Sequence, residues 1–239
     1  MSLLSICQDV ADSIPIDRPN SIIGAGTETA KLLLRCATEA GQSLYRRYNW
    51  VALQTEHTFS TVASTADYSL PSDFGRLIDT TLWDRTNYWE MRGPLTPQSW
   101  QKFKGSVLSD TVSTRKRYRI RNVSGDISFS IDPTPDSADS LVFEYISSSW
   151  CAGSDGTGKS KWGADSDVPV VDSWLLYLHT KWRTLNRLGM AYDEEKAEAE
   201  RETNNAAARD GGSPVLQLSP SNSPVYVGPY NVPDTGFGT

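Results

Sequence analysis

LVFEYISSSWCAGSDGTGKSKWGADSDVPVVDSWLLYL, residues 141–178, contains at 153–160 the pattern G-x-x-x-x-G-K-[ST]. How this stretch is read decides the fold. A phosphate-binding loop would need a strand running into the glycines and a helix starting within them. Backbone N–H groups and the helix N-terminus would then cradle phosphate oxygens, with Lys159 on the outer phosphates and Ser160 on magnesium. That arrangement implies a parallel sheet with crossover helices. The alternative is an antiparallel β region followed by an independent helix.

The local context favours the alternative. Six residues, SSSWCA, separate the β segment LVFEYI (141–146) from Gly153. After Ser160 the chain continues KWGADSDVPVVD, with Gly163 and Pro169 and no helical period. The next helical pattern begins about a dozen residues too late to point its N-terminus at a phosphate. No βαβ crossover precedes the loop, and no later apolar strand ends in an Asp that would serve as a second magnesium ligand. The match is read as an ordered or partner-binding loop.

Downstream, Asp172 is a fair N-cap, and Trp174, Leu175, Leu178, Trp182, Leu185 and Leu188 form an apolar stripe that ends at Gly189. A second, polar helix follows in YDEEKAEAERETNNAAARD, with Asp193, Glu194 and Glu195 at its positive end. Between 193 and 210 stand seven acidic and three basic residues, so this helix supplies −4 of the chain's net −6.

Upstream, KRYRIRN, ISFSI and LVFEYI alternate with period 2, separated by turn formers at Ser124-Gly125-Asp126 and Asp132-Pro133-Thr134-Pro135-Asp136. LIDTTLW (77–83) and NYWEM (87–91) read as a hairpin, and Thr96-Pro97 opens a short helix through Trp100 and Phe103 to Gly105. Val51, Leu53 and Phe59 share one face of a half-buried strand. The N-terminal part is helical instead. Leu3, Leu4, Cys7, Val10 and Ala11 repeat at helical spacing up to Pro15. Thr27 then caps a helix lined by Ala30, Leu33, Leu34, Ala37, Gly41, Leu44, Tyr45 and Tyr48.

The expected fold is α+β: a helical bundle with an inserted small antiparallel β domain and an extended C-terminal arm. The expected boundaries are 1–56 for the N-terminal helices, 57–150 for the β domain and 151–171 for a connecting loop. Residues 172–210 form the C-terminal helices and 211–239 the arm. The arm's 29 residues carry one charged side chain, Asp234, with five prolines and five glycines that forbid a helix or central strand. It still holds Val225, Tyr226, Val227, Tyr230, Val232 and Phe237. Extended, it reaches on the order of 90 Å, enough to leave one subunit and lie on another surface.

Composition narrows the function classes. At 239 residues and 38% hydrophobic, the chain has enough for one sizeable core or two modest ones. A net charge of −6 argues against general nucleic-acid binding. No apolar run approaches the ~18 residues of a membrane span, so no membrane partner is expected. MSLLSICQDVADSI has no basic n-region, so no signal peptide is expected and synthesis is assigned to the cytoplasm. Cys7, Cys36 and Cys151 lack paired spacing, and His57 and His179 have no second ligand or nucleophile nearby. Catalytic, cofactor and metal sites are therefore expected to be absent.

Three surface features remain as candidate sites. Strand alternation sends Arg117, Arg119 and Arg121 to one face, which suits internal ion pairs, a subunit or partner contact, or DNA phosphates. Trp150 and Trp162, in loops among eight tryptophans, suit an interface more than a sugar platform. Glu194, Glu198 and Glu202 would suit either a solvated outer face or a channel wall that does not hold phosphates.

The chain also resembles a known family. The segments YSLPSDFGRLIDTTLWDRTN (68–87), GPLTPQSWQKFKG (93–105), DGTGKSKWGADSDVPVVDSWLLYLHTKWRTLNRLGMAY (155–192) and AAARDGGSPVLQLSP (206–220) are similar, in order, to head-to-tail adaptors of tailed bacteriophages. That group includes the tail tubular protein A of short-tailed phages. The resemblance implies a non-enzymatic virion protein whose copies, twelve in the family, form a ring below the portal. It further implies a portal-clasping arm, a tail or nozzle partner and a channel through which DNA passes without specific binding. A carbohydrate-binding or wall-degrading tail component and, behind it, a P-loop NTPase are the alternative readings.

Overall fold

The computed structural model describes residues 1–104, 115–123 and 125–211. In chain order the described elements are α1 (Leu3–Ser13), α2 (Glu28–Arg47), β1 (Gln54–Ser60), β2 (Asp67–Ser69), β3 (Phe74–Leu77), β4 (Trp83–Asp84), β5 (Trp89–Glu90) and α3 (Pro97–Lys104). Then come β6 (Arg117–Val123), β7 (Asp126–Asp132), β8 (Ser140–Ser147), β9 (Cys151–Ala152), β10 (Gly158–Lys159), β11 (Val168–Pro169), α4 (Ser173–Arg187) and α5 (Asp193–Arg209). Helices and small antiparallel sheets make the fold α+β, as the sequence predicts. The C-terminal arm and the end of α3 at Gly105 lie outside the described residues, as does Ser124 of the predicted turn.

Two compact units divide the described chain: Met1–Gln54 with the residues from Ile146 onward, and Thr55–Tyr145. In the first unit, α4 packs against α1, α2 and α5. Its apolar stripe buries Leu175, Leu176, Leu178 and Leu185, and α2 buries Leu33, Cys36, Ala37, Ala40 and Leu44. The starts of these helices follow from their caps. Thr27 Oγ1 accepts from the Ala30 N–H at 3.4 Å, and the Asp172 carboxylate accepts from the Trp174 N–H at 2.9 Å. Each satisfies an N–H that the helix itself cannot. Gly189, at φ +71°, ends the α4 turn.

The second unit holds two sheets. One has the order β1-β8-β4-β5, with β3 also on β8; the other has the order β2-β7-β6. Tyr118 stacks on Phe129 at 5.3 Å, and Phe129 on Phe143 at 5.6 Å, so one ring column joins β6, β7 and β8. Phe59, Phe74 and Tyr145 close around it. Such offset aromatic pairs add ~0.5–1.5 kcal/mol each beyond their burial.

The structure departs from the sequence reading at several positions. Val51–Leu53 is a single 3₁₀ turn with Val51 exposed, and the strand starts only at Gln54. LIDTTLW is not one strand: β3 ends at Leu77 on β8, and the hairpin pairs only Trp83 and Asp84 with Glu90 and Trp89. Trp174 and Leu188 stand outside the apolar stripe of α4, 49% and 41% exposed, with Trp174 stacked on Tyr177 at 5.1 Å, and Tyr48, just past the end of α2, is 41% exposed.

Candidate functional site

The GTGKS segment is a hairpin turn. β9 pairs antiparallel with β10 on one side and with β11 on the other. Three of the loop amides are engaged within the turn itself. The Gly153 N–H donates to the Thr157 carbonyl at 2.9 Å, the Gly156 N–H to the Gly153 carbonyl at 3.0 Å, and the Thr157 N–H to Asp155 at 3.0 Å. Gly156 has φ +81°, and a side chain at Gly158 would stand 2.9 Å from Ser149 Cβ. The glycines therefore answer turn geometry and close packing.

Lys159 has an internal partner. Its ammonium donates to Asp167 Oδ1 at 2.8 Å, and the other oxygen of Asp167 accepts from the Gly163 and Ala164 N–H groups at 2.7 and 3.0 Å. Asp167 is 1% exposed. Burial alone would raise its pKa, but Lys159 and the two amides outweigh it and hold the carboxyl below its ordinary value.

The same loop fastens the N-terminus. The Leu3 and Leu4 N–H groups at the start of α1 donate to the carbonyls of Asp167 (2.8 Å) and Asp165 (3.1 Å). The Asp165 carboxylate accepts from the Ile23 N–H at 2.7 Å, from the Ile22 N–H and from the Ser21 hydroxyl at 2.8 Å. Desolvation opposes ionisation of Asp165, yet these donors prevail and its pKa is lowered. Sequence reasoning overlooked both aspartates. The signal available was the acidic pair flanked by Gly163 and Pro169, side chains that bond backbone N–H groups in loops.

The arginine strand is largely satisfied within its own unit. Arg117 pairs with Asp132 at 3.4 Å and lies over the Phe103 ring at 4.0 Å. Arg121 pairs with Asp67 at 3.0 Å, bonds Ser130 and lies over Trp100. Helix α3, with Trp100 buried, thus covers this face, and Lys104 also reaches Asp132 at 3.1 Å. Arg119 has no ion-pair partner among the described residues.

Trp150 and Trp162 require a correction. They are buried, Trp150 to 2% exposure, and pack edge to face at 4.9 Å inside the helical unit. Neither offers a surface for a partner. Glu194 is exposed, while Glu198 and Glu202 are half-buried on α5. Val225, Tyr226, Val227, Tyr230, Val232 and Phe237 lie outside the described residues.

His57, half-buried, lies beside the rings of Phe59 and Phe143. All three cysteines are free and buried, and burial pushes the thiols of Cys7 and Cys151 up to about 12. Such thiols are poor nucleophiles. Among the described residues, no group of three or more His, Cys, Asp or Glu could hold a metal ion. No described helix is long and apolar enough to cross a membrane. What the described side chains form is a set of structural clamps.

The family model described as SU10 adaptor protein matches residues 1–225. No curated protein matched the chain.

Proposed function

We propose, from the premise that the chain belongs to the SU10 adaptor protein family, that it is a structural head-to-tail adaptor of a phage virion. Copies of the chain form a ring, of twelve by the family resemblance, below the portal. The ring extends the DNA channel and offers the tail or nozzle its attachment platform. The single observation that carries this reading is the family match across nearly the whole chain.

The segments divide the work. The helices at 1–56 and 172–210 form the ring body, with 151–171 tying them together and the β insertion at 57–150 available for neighbours. The arm, 211–239, docks on portal subunits through Val225, Tyr226, Val227, Tyr230, Val232 and Phe237. Its low charge limits the desolvation cost of docking, and its prolines limit the entropy lost on ordering. Glu194, Glu198 and Glu202 face the lumen or its rim, where negative charge keeps DNA phosphates from sticking. Arg119 is the arginine of its strand left for a subunit or tail contact.

Imaging of virions, or of portal rings incubated with the chain, tests the reading. A coaxial ring of this chain between portal and tail is expected. Density for the chain at tail fibres or at a peripheral site, with none on the axis, overturns it.

A further inference from the structure

The buried histidine of the helical unit has a hydrogen-bond environment that fixes its proton. His179, on α4, is 3% exposed. Its Nδ1 faces two groups that can only donate: the Trp182 indole N–H at 3.1 Å and the Arg183 guanidinium at 3.1 Å. Nδ1 must therefore be an unprotonated acceptor. The other nitrogen gives the same answer independently. Nε2 is 2.8 Å from Thr203 Oγ1 on α5, and that hydroxyl spends its hydrogen on the Ala199 carbonyl at 2.7 Å. Nε2 must therefore donate. The imidazole is neutral, with its hydrogen on Nε2.

This bond is a joint between two helices. Along α5 only Ala199 and Thr203 are buried, so His179 meets one of the two positions by which that helix is seated. Protonation would place a hydrogen on Nδ1, against two donors. The charged neighbours do not compensate. Arg183 on α4 and Arg47 on α2 both oppose a positive ring, after burial itself, and together they push its pKa down to about 4. Of the nearby acids, Glu200 on α5 is paired with Arg47 at 3.8 Å, Glu195 on α5 with Lys181 at 3.9 Å, and Glu39 on α2 with Arg187 at 2.7 Å. Lys196 on α5 lies over the Trp182 ring, and the buried Cys36 thiol on α2 stays neutral. A cavity of about 370 Å³ beside α5 is lined by Arg47, Tyr48 and Thr203, the hydroxyl that His179 meets.

We infer that the His179–Thr203 contact is an acid-sensitive latch. On acidification it releases α5, the helix that leads into the C-terminal arm, while α1 stays fastened. The order follows from the sites. A histidine whose folded pKa is lowered contributes stability that is complete above the unfolded value of 6.5 and is lost as pH falls toward 4. Asp165 and Asp167 fasten α1 through their backbone carbonyls, which do not titrate, and the partners of their carboxyls hold these below their ordinary pKa.

Hydrogen exchange on the full chain, expressed as protection factors at pH 7 and pH 4.5, tests the latch. The α5 amides should lose protection on the order of fifty-fold while those of α1 hold. His179→Gln keeps one acceptor and one donor but cannot titrate, so its α5 protection should not change with pH. Equal loss in α1 and α5, or an unchanged pH dependence in the Gln variant, overturns the inference. Should that variant fail to fold, ¹⁵N NMR of the native imidazole decides. A neutral Nε2–H tautomer persisting below pH 5 supports the latch, and an Nδ1–H tautomer or titration near 6.5 overturns it.

Discussion

The indole of Trp150 occupies the space that a Cβ at Gly41 would need. Gly41 lies within α2, where glycine ordinarily costs about 1 kcal/mol relative to alanine. Here the missing side chain lets a tryptophan from the loop after β8 close against the helix. Gly41→Ala should therefore destabilise the helical unit by roughly 1–3 kcal/mol, reversing the usual helix-propensity gain. Thermal unfolding reads the sign. A raised midpoint would mean the indole moves aside freely.

Trp150→Ala tests the same contact from the other side. Removing a fully buried indole should cost roughly 3–5 kcal/mol, and Gly41→Ala should add little once the ring is gone. A double-mutant cycle on denaturant midpoints gives the coupling. Additive losses would place the indole's packing energy elsewhere.

The GTGKS hairpin should behave as a clamp when it is cut. Lys159→Ala leaves the buried Asp167 carboxylate with backbone donors alone and should lower the unfolding midpoint. Asp165→Ala strands the Ser21, Ile22 and Ile23 donors and should cost roughly 1–3 kcal/mol, with loss of amide protection in α1. No ATP binding is expected in either variant or in the parent chain, because the loop is a β hairpin with no helix starting in it and Lys159 is held by Asp167. Isothermal titration checks this: micromolar ATP affinity lost on Lys159→Ala would restore the phosphate-loop reading.

The helices were legible in the sequence because their signals are local. Thr27 and Asp172 cap where propensity says they should, and the apolar spacing of α2 and α4 gives the packed faces. The β unit was legible in kind but not in boundary. β4 and β5 are two residues each, so their pairing comes from the sheet rather than from any alternating run. Trp150 was misread because a loop's burial depends on a partner over a hundred residues away, and Gly41 appears in sequence only as one small residue in a helical stripe. Arg117 and Arg121 were ambiguous for a related reason: their carboxylates, Asp132 and Asp67, sit on other strands. For His179 the sequence shows only that no second ligand or nucleophile lies nearby; its tautomer needed the positions of Trp182, Arg183 and Thr203.

The β unit should weaken at both ends of the pH scale. Lys116 lies between Asp84 and Asp139, bonding the first closely and the second at 2.7 Å, and so ties together the segments ahead of β6 and β8. For Asp84, burial opposes ionisation, but Lys116 and the Asn87 donors outweigh it and its pKa is lowered. Its contribution is present above the unfolded value near ~3.9 and lost as pH falls through the folded value. For Lys116, burial opposes the charge, but the two carboxylates prevail and its pKa is raised. That contribution is complete below the unfolded value near ~10.4 and lost as pH rises through the folded one. Lys116→Met should cost on the order of 3 kcal/mol at pH 7, because it leaves two buried carboxylates facing each other. The loss should shrink in acid. A pH-independent loss would assign the effect to packing.

Truncation after Gly212 separates the adaptor's body from its arm. The described clamps, at Asp165, Asp167, His179 and the Gly41–Trp150 contact, all precede that point, so the shortened chain should keep its circular dichroism and unfolding midpoint. Portal attachment should fail. Each apolar anchor such as Tyr226 or Phe237 contributes roughly 1.5–3 kcal/mol when fully buried, while ordering the chain costs about 1–2 kcal/mol per residue. Gain per anchor and cost per residue are of similar size, but anchors are few among the arm's residues, so one arm alone should bind weakly at best. In the proposed ring many arms would meet a symmetric partner at once, which should make attachment steep in concentration. Replacing Tyr226 and Phe237 together by serine should then shift the midpoint of portal co-sedimentation severalfold without changing the protein's own stability. Attachment of the truncated chain at the full-length level would remove the arm from the mechanism and leave the ring body to hold the portal.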